Sequence, residues 1–565
     1  MKKLLWLVFG LLLILVAIGF SLNSIVEHVA NNNVEYLLDQ NDPNRLYDYQ
    51  FKKVKLDIWA GNLEVIGVSV KPRKRAVDSL KNIGRPKRFL LEGQLNDIRM
   101  KGLDVIRFIT DQEVSIDSFI IVNPTLKILV DPSVKPDTSG PALSKDLLSE
   151  KITYGSINTL SLHNAKIRWI NSSEDSSSYF SCDSVSLLVK NLYTDSILMK
   201  SNQTIKFTEA LFKGRHFDLN FIKDTRLTAK GIDFSFSKNL LILNQVIFKN
   251  IDDKKEFTRE LKFEKEWYNL KIETLELTSK DIAHWGYNDY IKIDNVRMID
   301  PVIVVYKDKR LVDPPFLVKP LPAKAIREMK TALLIENMEI KNGTATYEEI
   351  SEKGKLPGRI YFTKINLNAK NFTNVREILH NHPSLLITGS TKFLDKSTID
   401  LKLEFPILDP REKFYAQGTI THVKATDLNN IVGNMAYAEF KEGNIHKVTF
   451  HMIGDEEHST GTIQAHYTDL KITLLDTASV NKRKEHIQKK FLGLLANSVV
   501  RSNNIPGTKR YIEGQIDLTR PKNKFVLNYL WNSIKVGLIS VAIDPRLSKK
   551  LVEKQNEKIK AKEKK

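Results

Sequence analysis

Residues 293–308 read IDNVRMIDPVIVVYKD, and residues 116–131 read IDSFIIVNPTLKILVD. Each opens on Ile-Asp, reaches Pro eight places on and Asp seven beyond that, and the two are offset by 177 positions throughout. The match extends both ways. Each phrase is followed by a Pro-punctuated linker (Pro132, Pro136, Pro141; Pro314, Pro315, Pro320, Pro322) and a short helical stretch. Next come INTLSLHNAKIRW (157–169) and IENMEIKNGTATY (335–347), in which Asn164 matches Asn342 and Trp169 matches Tyr347. SLLVKNLYTDS (186–196) echoes NLNAKNFTNVR (366–376), and KLDIWAGNLEVIGV (55–68) resembles GIDFSFSKNLLILN (231–244). Four matched segments in one order make two tandem units, each a series of strands broken at turn residues.

The period within these segments is two. Val54, Leu56 and Ile58 alternate with Lys53, Lys55 and Asp57; Ile399, Leu401, Leu403 and Phe405 alternate with Asp400, Lys402 and Glu404; Val448, Phe450 and Met452 repeat the pattern. Such alternation marks strands with one apolar and one wet face, so the fold is mainly β. Helices are expected at 24–40, 142–150, 323–331, 373–380 and 426–436, with a stronger pair near the C-terminus. A unit with open sheet edges can be extended by pairing the next one onto it, giving an elongated antiparallel sheet. The alternative is two independent sandwich domains, but no Gly/Ser-rich linker separates the copies near 205–225.

The apolar face needs a cover. A filled sandwich core is one solution; an open trough that takes acyl chains is the other, and alternation does not distinguish them. The candidate lining is Val54, Leu56, Ile58, Ile399, Leu401, Leu403, Phe405, Val448, Phe450 and Met452.

The N-terminus is MKK followed by nineteen uncharged residues, Leu4 to Leu22. At ~1.5 Å per residue this nearly spans a ~30 Å hydrocarbon core. Lys2 and Lys3 precede it and Glu27, Glu35, Asp39 and Asp42 follow, which places the N-terminus in the cytoplasm and the bulk across the membrane. A cleaved signal peptide is the competing reading, although the apolar run is long for one. The chain has 86 Lys and Arg against 67 Asp and Glu, net +19, and such a charge favours anionic surfaces. Nucleic acid is not the expected partner: no aromatic RNA-binding motif, Cys/His finger spacing or dense Arg run is present. Cys182, the single cysteine, excludes an intramolecular disulfide and reads as a buried apolar residue.

No enzyme is read from the sequence, and no catalytic, cofactor or metal residues are assigned. His380-Asn381-His382 lacks a metal-ligand arrangement, and nucleophile elbows and Gly-rich phosphate loops are absent. Asp252 and Asp253, followed by Lys254 and Lys255, read as a solvated turn.

Two C-terminal segments have helical periodicity. KRKEHIQKKFLGLLANSVV (482–500) reads as a helix docked over the sheet. In FVLNYLWNSIKVGLISVAI (525–543), Leu527, Leu530, Trp531, Ile534, Leu538 and Val541 gather on one side; this face suits a membrane interface or the end of a sheet. The tail from Arg546 to Lys565 is basic and reads as solvated.

The region 429–475, with Gly443, Gly461, Tyr467, Asp469 and Leu470, then 511–543 with Phe525, Trp531 and Gly537, resembles the C-terminal part of AsmA-like envelope proteins. The N-terminal anchor and the strands around WAGNLEVIGV fit the same family, so the resemblance covers nearly the whole chain through a diffuse, apolar signature. It implies a bacterial inner-membrane anchor, a periplasmic curled β-sheet with an apolar groove, and a role in moving phospholipid between membranes or in outer-membrane biogenesis. Expected partners are the membrane, phospholipid or another acyl-chain lipid, and outer-membrane or other envelope proteins. A structural scaffold or assembly factor without lipid transfer is the alternative. The expected organisation is an anchor (1–22), helical connector (23–44), two β units (45–222 and 223–385), a further β segment (386–480), C-terminal helices with a closing strand (481–545) and a basic tail (546–565).

Overall fold

The computed structural model describes residues 46–57, 60–111, 113–131, 133–134, 154–171, 178–195, 198, 205–220, 224–282, 289–312, 314–352, 354, 356–429, 438–474 and 500–563. The expected anchor, the helices at 24–40 and 142–150, Ile58 and almost all of the helix at 482–500 lie outside them. Strands make up 58% of the structure and helices 17%, so the fold is mainly β as the alternation requires. The chain divides into two compact units, Met1–Val246 and Ile247–Lys565.

The first unit contains β1 (Tyr47–Gln50), β2 (Lys53–Asp57), β3 (Asn62–Pro72), α1 (Lys74–Asn82), β4 (Phe89–Lys101), α2 (Val105–Asp111), β5 (Glu113–Val122), β6 (Thr125–Val130), β7 (Tyr154–Asn171), β8 (Ser178–Asp195), β9 (Glu209–Leu219) and β10 (Thr225–Ser235). Strand β11 (Leu240–Asn250) falls on the division. The second unit contains α3 (Lys254–Arg259), β12 (Trp267–Thr278), β13 (Ile291–Ile299), β14 (Val302–Asp308), α4 (Pro322–Arg327), β15 (Leu333–Ile350), β16 (Gly358–Thr373), α5 (Arg376–Asn381), β17 (Ser384–Phe393), β18 (Ser397–Pro406) and β19 (Phe414–Lys424). A 3-10 turn (Ala425–Leu428), β20 (Ala438–Gly454), β21 (His458–Leu474), β22 (Gly514–Thr519), α6 (Val526–Ala542) and α7 (Pro545–Glu563) complete it.

The repeated phrase is one strand broken in the middle. In the first copy β5 and β6 both lie antiparallel to β4 and parallel to β7; in the second, β13 and β14 lie antiparallel to β12 and parallel to β15. The break is the Asn-Pro or Asp-Pro step. Asn123 (φ 50°) and Asp300 (φ 49°) are left-handed, a conformation these residue types tolerate best after glycine. The next strand bends at the same level through Asn164 and Asn342, both at φ 53°. Nδ2 of Asn164 donates to Oδ1 of Asn123 (2.8 Å), and Nδ2 of Asn342 donates to Oδ1 of Asp300 (2.6 Å). Backbone bonds bracket each proline: Asn123 N to His163 O (2.9 Å) and Lys166 N to Pro124 O (2.8 Å); Asp300 N to Lys341 O (3.0 Å) and Thr344 N to Pro301 O (2.7 Å). A matched crease therefore crosses adjacent strands. Along β7 the core residues are Leu160 and Leu162 before it and Ala165 and Ile167 after it, so the bulge exchanges odd for even while the same face stays apolar.

The expectation of an antiparallel sheet is corrected by this pairing. Strands run parallel where a long connection returns the chain to the end it started from, and the Pro-rich stretch with α4 is that crossover between β14 and β15. Helix α4 ends before the expected 331, α5 starts after the expected 373, and the described part of 426–436 holds a short 3-10 turn. Asp253 is exposed, as the solvated-turn reading expects, and it also has a structural role. It caps α3, accepting from the backbone N–H groups of Lys255 (2.9 Å) and Glu256 (3.0 Å), and these bonds, Glu256 first, hold its carboxyl below the usual range. The basic tail is likewise structured: α7 buries Ser548 and Leu551, and Oδ1 of Asn556 accepts from Thr519 N at 2.9 Å.

Helix α6 docks on the closing strands. Tyr529, Leu530, Ser533, Ile534, Val536, Gly537 and Val541 are buried, and the Tyr529 ring stands edge-on to Phe414 at 5.7 Å. Gly537 permits the closest approach: a Cβ there would sit 2.7 Å from Ile463 Cγ2 and 2.9 Å from Ile516 Cγ1. Gly537→Ala should therefore lift α6 and cost about 1–3 kcal/mol, seen as faster proteolysis of the C-terminal helices. Gly155→Ala, whose added carbon would find its nearest neighbour at 3.5 Å, should leave the cleavage rate unchanged.

Candidate functional site

Residues paired across neighbouring strands share a face, so the register lists what each face is made of. In the second unit one row crosses ten strands, from β12 to β22: Leu277, Val296, Met338, Ala369, Ile387, Leu403, Ala416, Met452, Gly461 and Ile516. A second row, two residues away, reads Leu275, Met298, Ile340, Leu367, Gly389, Leu401, Gly418, Phe450, Ile463 and Gly514. Neither row contains a polar side chain. The row between them points the other way and is polar in every strand: Glu276, Arg297, Glu339, Asn368, Thr388, Lys402, Gln417, His451, Thr462 and Gln515. Arg297 bridges Glu339 (2.8 Å) and Glu276 (3.2 Å) on that outer face.

The first unit repeats the device over eight strands, β2 to β10. Its inner row is Val54, Val65, Ile98, Ile121, Leu162, Leu187, Phe212 and Phe234. The outer row begins Lys55, Glu64, Arg99, with Lys55 and Glu64 paired at 2.6 Å, and then becomes mixed, reading Ile120, Ser161, Leu188, Leu211 and Ser235.

Burial along these rows is uneven. In the second unit Leu403, Ala416, Met452 and Ile516 are buried in one core with residues of α6, whereas Leu277, Met338, Ala369 and Ile387 are only partly covered and Val296 between them is buried in a small cluster with Ile293 and Ile335. In the first unit Val54, Val65, Ile98, Ile121 and Leu162 are buried, and Leu187, Phe212 and Phe234 are partly covered. Each unit thus has a filled end and an under-covered stretch of apolar face.

This places the expected lining residues. Leu403, Phe405, Val448, Phe450 and Met452 lie in the filled core of the second unit, and Val54 in that of the first, so they pack against protein. Leu401 and Ile399 are partly covered; Leu56 pairs with Leu63, and Ile58 is outside the described residues. The under-covered stretch is formed instead by Leu275, Leu277, Met298, Met338, Ile340, Leu367 and Ile387. Sequence reasoning passed over these because their strands alternate less cleanly, having a crease in the middle. The helix residues divide as well: Leu530, Ile534 and Val541 are buried against the sheet, Leu538 is partly buried, and Leu527 and Trp531 are exposed.

Charged groups stand on the inner face at one rim of the second unit, past the crease. Lys307, opposite Glu349 in the β14–β15 register, is buried, with its Nζ 2.9 Å from Glu264 and 3.1 Å from Glu266. Desolvation works to lower the Lys307 pKa, but the two carboxylates outweigh it and hold the ammonium above the ordinary lysine range. Lys309 reaches Glu349 at 2.8 Å, and the Tyr347 hydroxyl donates to Glu349 at 2.6 Å; burial, then that carboxylate, pushes the phenol well up. The first copy has Val130 and Asn171 where the second has Lys307 and Glu349. Cys182 is buried and inert, its thiol pushed up to about 11 by desolvation.

Among the described residues no group of three or more His, Cys, Asp or Glu could hold a metal ion, and no helix is long and apolar enough to cross a membrane.

Two substitutions separate filled core from open face. Phe450→Asp should destabilise the fold by more than about 4 kcal/mol, because a charge would be buried without a partner. Met338→Asp should leave the β circular dichroism and the thermal midpoint close to wild type; loss of both would mean that this face is closed.

No protein-family model matches the chain, and no curated protein matches it.

Proposed function

We propose that this is a membrane-anchored, AsmA-like envelope protein that carries acyl-chain lipid along an apolar β-face, in phospholipid transport between membranes or in outer-membrane biogenesis. The reading is carried by the apolar rows of the second unit: two rows cross ten strands without a polar side chain and, apart from the buried Val296, are only partly covered over β12 to β17. A lipid tail needs that surface and nothing directional, each buried methylene contributing roughly 0.8 kcal/mol. The polar outer row suits a body standing in an aqueous compartment. Leu4 to Leu22 would supply the anchor, and the charges around it support a bulk lying across the membrane from Lys2 and Lys3, which for an AsmA-like protein is the periplasm. Residue types in the rows vary among Leu, Ile, Met, Val, Ala, Phe and Gly, as expected where shape matters less than the absence of polarity.

The test is mass spectrometry of the full chain gently extracted from membranes. Acyl lipid should accompany the wild-type protein, and Leu277→Asp with Met338→Asp should reduce it several-fold while the thermal midpoint holds. A folded wild-type protein free of acyl lipid, yielding only protein crosslinks, would replace this reading with that of an envelope scaffold.

A further inference from the structure

Residues 71–88 of the first unit read KPRKRAVDSLKNIGRPKR, with eight Lys or Arg and a single acid, Asp78. They cover the end of β3, the whole of α1 and the turn into β4. Helix α1 buries Leu80 and partly covers Ala76 and Val77, so Lys74, Arg75 and Lys81 fall on its outer side, where all three are exposed. Lys71, Arg85 and Lys87 are exposed as well. Among the described residues only Arg73 of the eight has a carboxylate at ion-pair distance, that of Asp48. Arg88 lies over the Phe89 ring, 5.6 Å from its centroid, and donates to Val134 O. Asp131 adds a second acid, its N–H donating to Arg88 O at 2.9 Å, which leaves the surface strongly positive.

These cations stand on an ordered platform. Helix α1 closes through Gly84 N to Lys81 O (3.2 Å) and Arg85 N to Leu80 O (2.9 Å), with Gly84 left-handed at φ 72°. The closure fixes Arg85 one turn beyond Lys81 and leaves Ile83 exposed between them. A Cβ on Gly84 would meet nothing within 4 Å, so this side is open. Two of the cations also stand where the helix disfavours them. Lys74 and Arg75 occupy the first turn, which has no acid, and Arg73 at the N-cap makes no side-chain capping bond. Folding gains nothing from positive charge there; an external negative surface relieves it. Helix α7 is basic too, but Glu553, Glu557 and Glu563 are interspersed among its lysines.

The position of α1 names the surface. Arg73 N donates to Leu46 O at 2.8 Å and Tyr47 pairs with Pro72, so α1 starts beside the first described residue. Leu46 follows Leu22 by twenty-four residues, a tether that keeps α1 within about 80 Å of the anchor's end even when fully extended. Tethering makes the encounter of α1 with headgroups intramolecular, so a weak attraction per charge suffices. A Lys or Arg close to an anionic surface is worth about fivefold in partitioning.

We infer that the outer face of α1, with Arg85, docks on the anionic phospholipid headgroups of the bilayer that carries the anchor, Ile83 entering the interface. This rests on the anchor reading above and adds a second point of attachment, which holds β1 to β3 against the membrane. The headgroups here are a docking surface and not cargo.

The experiment uses the full chain in nanodiscs with Ser79→Cys, an exposed position of α1, carrying a fluorophore; Cys182 is buried and stays unlabelled. A trace of phosphatidylcholine spin-labelled on its headgroup serves as quencher. Replacing about a third of the phosphatidylcholine by phosphatidylglycerol should raise quenching about threefold, and about 1 M salt, with a screening length of about 3 Å, should reverse the rise. Lys74→Glu with Arg75→Glu and Lys81→Glu should abolish it at an unchanged thermal midpoint. Lys549→Glu with Lys550→Glu and Lys560→Glu, the same change in charge at exposed positions of α7, should preserve it. The lipid and salt comparisons use the native cations, so they decide the matter even where the α1 variant is destabilised. Equal quenching in both nanodiscs overturns the assignment, and so does a rise that survives in the α1 variant or is lost equally in the α7 variant. A fluorophore that responds to an added oligonucleotide and not to phosphatidylglycerol gives the face to nucleic acid instead. A chain that elutes free of the nanodiscs overturns the anchor reading, and this inference with it.

Discussion

A strand turns successive side chains to opposite faces, and a face stays apolar across ten strands only if every strand enters the sheet in the right register. A slip of one residue at β16 would exchange Leu367 and Ala369 for Asn368 and Lys370, inserting an amide and an ammonium into rows that hold neither. The penalty for such a slip falls on every strand beyond it. Register is therefore the property on which the apolar face, the polar outer face and the seat of α6 all depend. Ile463 and Ile516, which receive α6 at Gly537, are members of the two inner rows.

The crease turns that dependence into a local device. A flat strand with one extra residue would present its polar side inward from that point on. A left-handed Asn or Asp absorbs the residue, and the carboxamide ladder Asn123–Asn164 and its counterpart Asp300–Asn342 keep neighbouring bulges level. Asn-Pro and Asp-Pro therefore recur 177 positions apart because each must do three things at once: adopt positive φ, drop one ladder donor, and offer a side-chain acceptor to the next strand.

Much of this could be read from the residues. Alternation in IDLKLEF located β18 and its inward residues, and the duplicated phrase located the strands on both sides of each crease. Parallel pairing could not be read there, because a Pro-rich linker with a short helix looks the same whether the chain reverses or crosses over. The division between filled and open face was equally hidden: Leu403 and Ile387 are cross-strand partners of similar character, yet one lies in the core beneath the C-terminal helices and the other at its margin. Coverage depends on elements far away in sequence. The polar tail gave little sign that α7 would dock, because the residues that pack at helical spacing, Ser548, Leu551, Val552 and Ile559, include only three apolar side chains in a stretch dominated by Lys and Glu.

The two copies also differ in an informative way. At the positions of Lys307 and Glu349 the first has Val130 and Asn171, so an ionic cluster at this rim is not required by the shared strand plan. Its presence in the second copy costs desolvation that a valine avoids. The same unit also leaves Leu277, Met338 and Ile387 partly covered, although its own C-terminal half shows that the sheet accepts a helical lid. An unlidded apolar face is a liability for a body that is only structural, because it invites association. Met298 and Met338 in that stretch have flexible, polarisable side chains that conform to more than one shape of neighbour. Under the proposed lipid-carrying function, a polar rim beside an adaptable apolar face would match the two halves of an amphiphile, and both departures from a closed core would then share one cause.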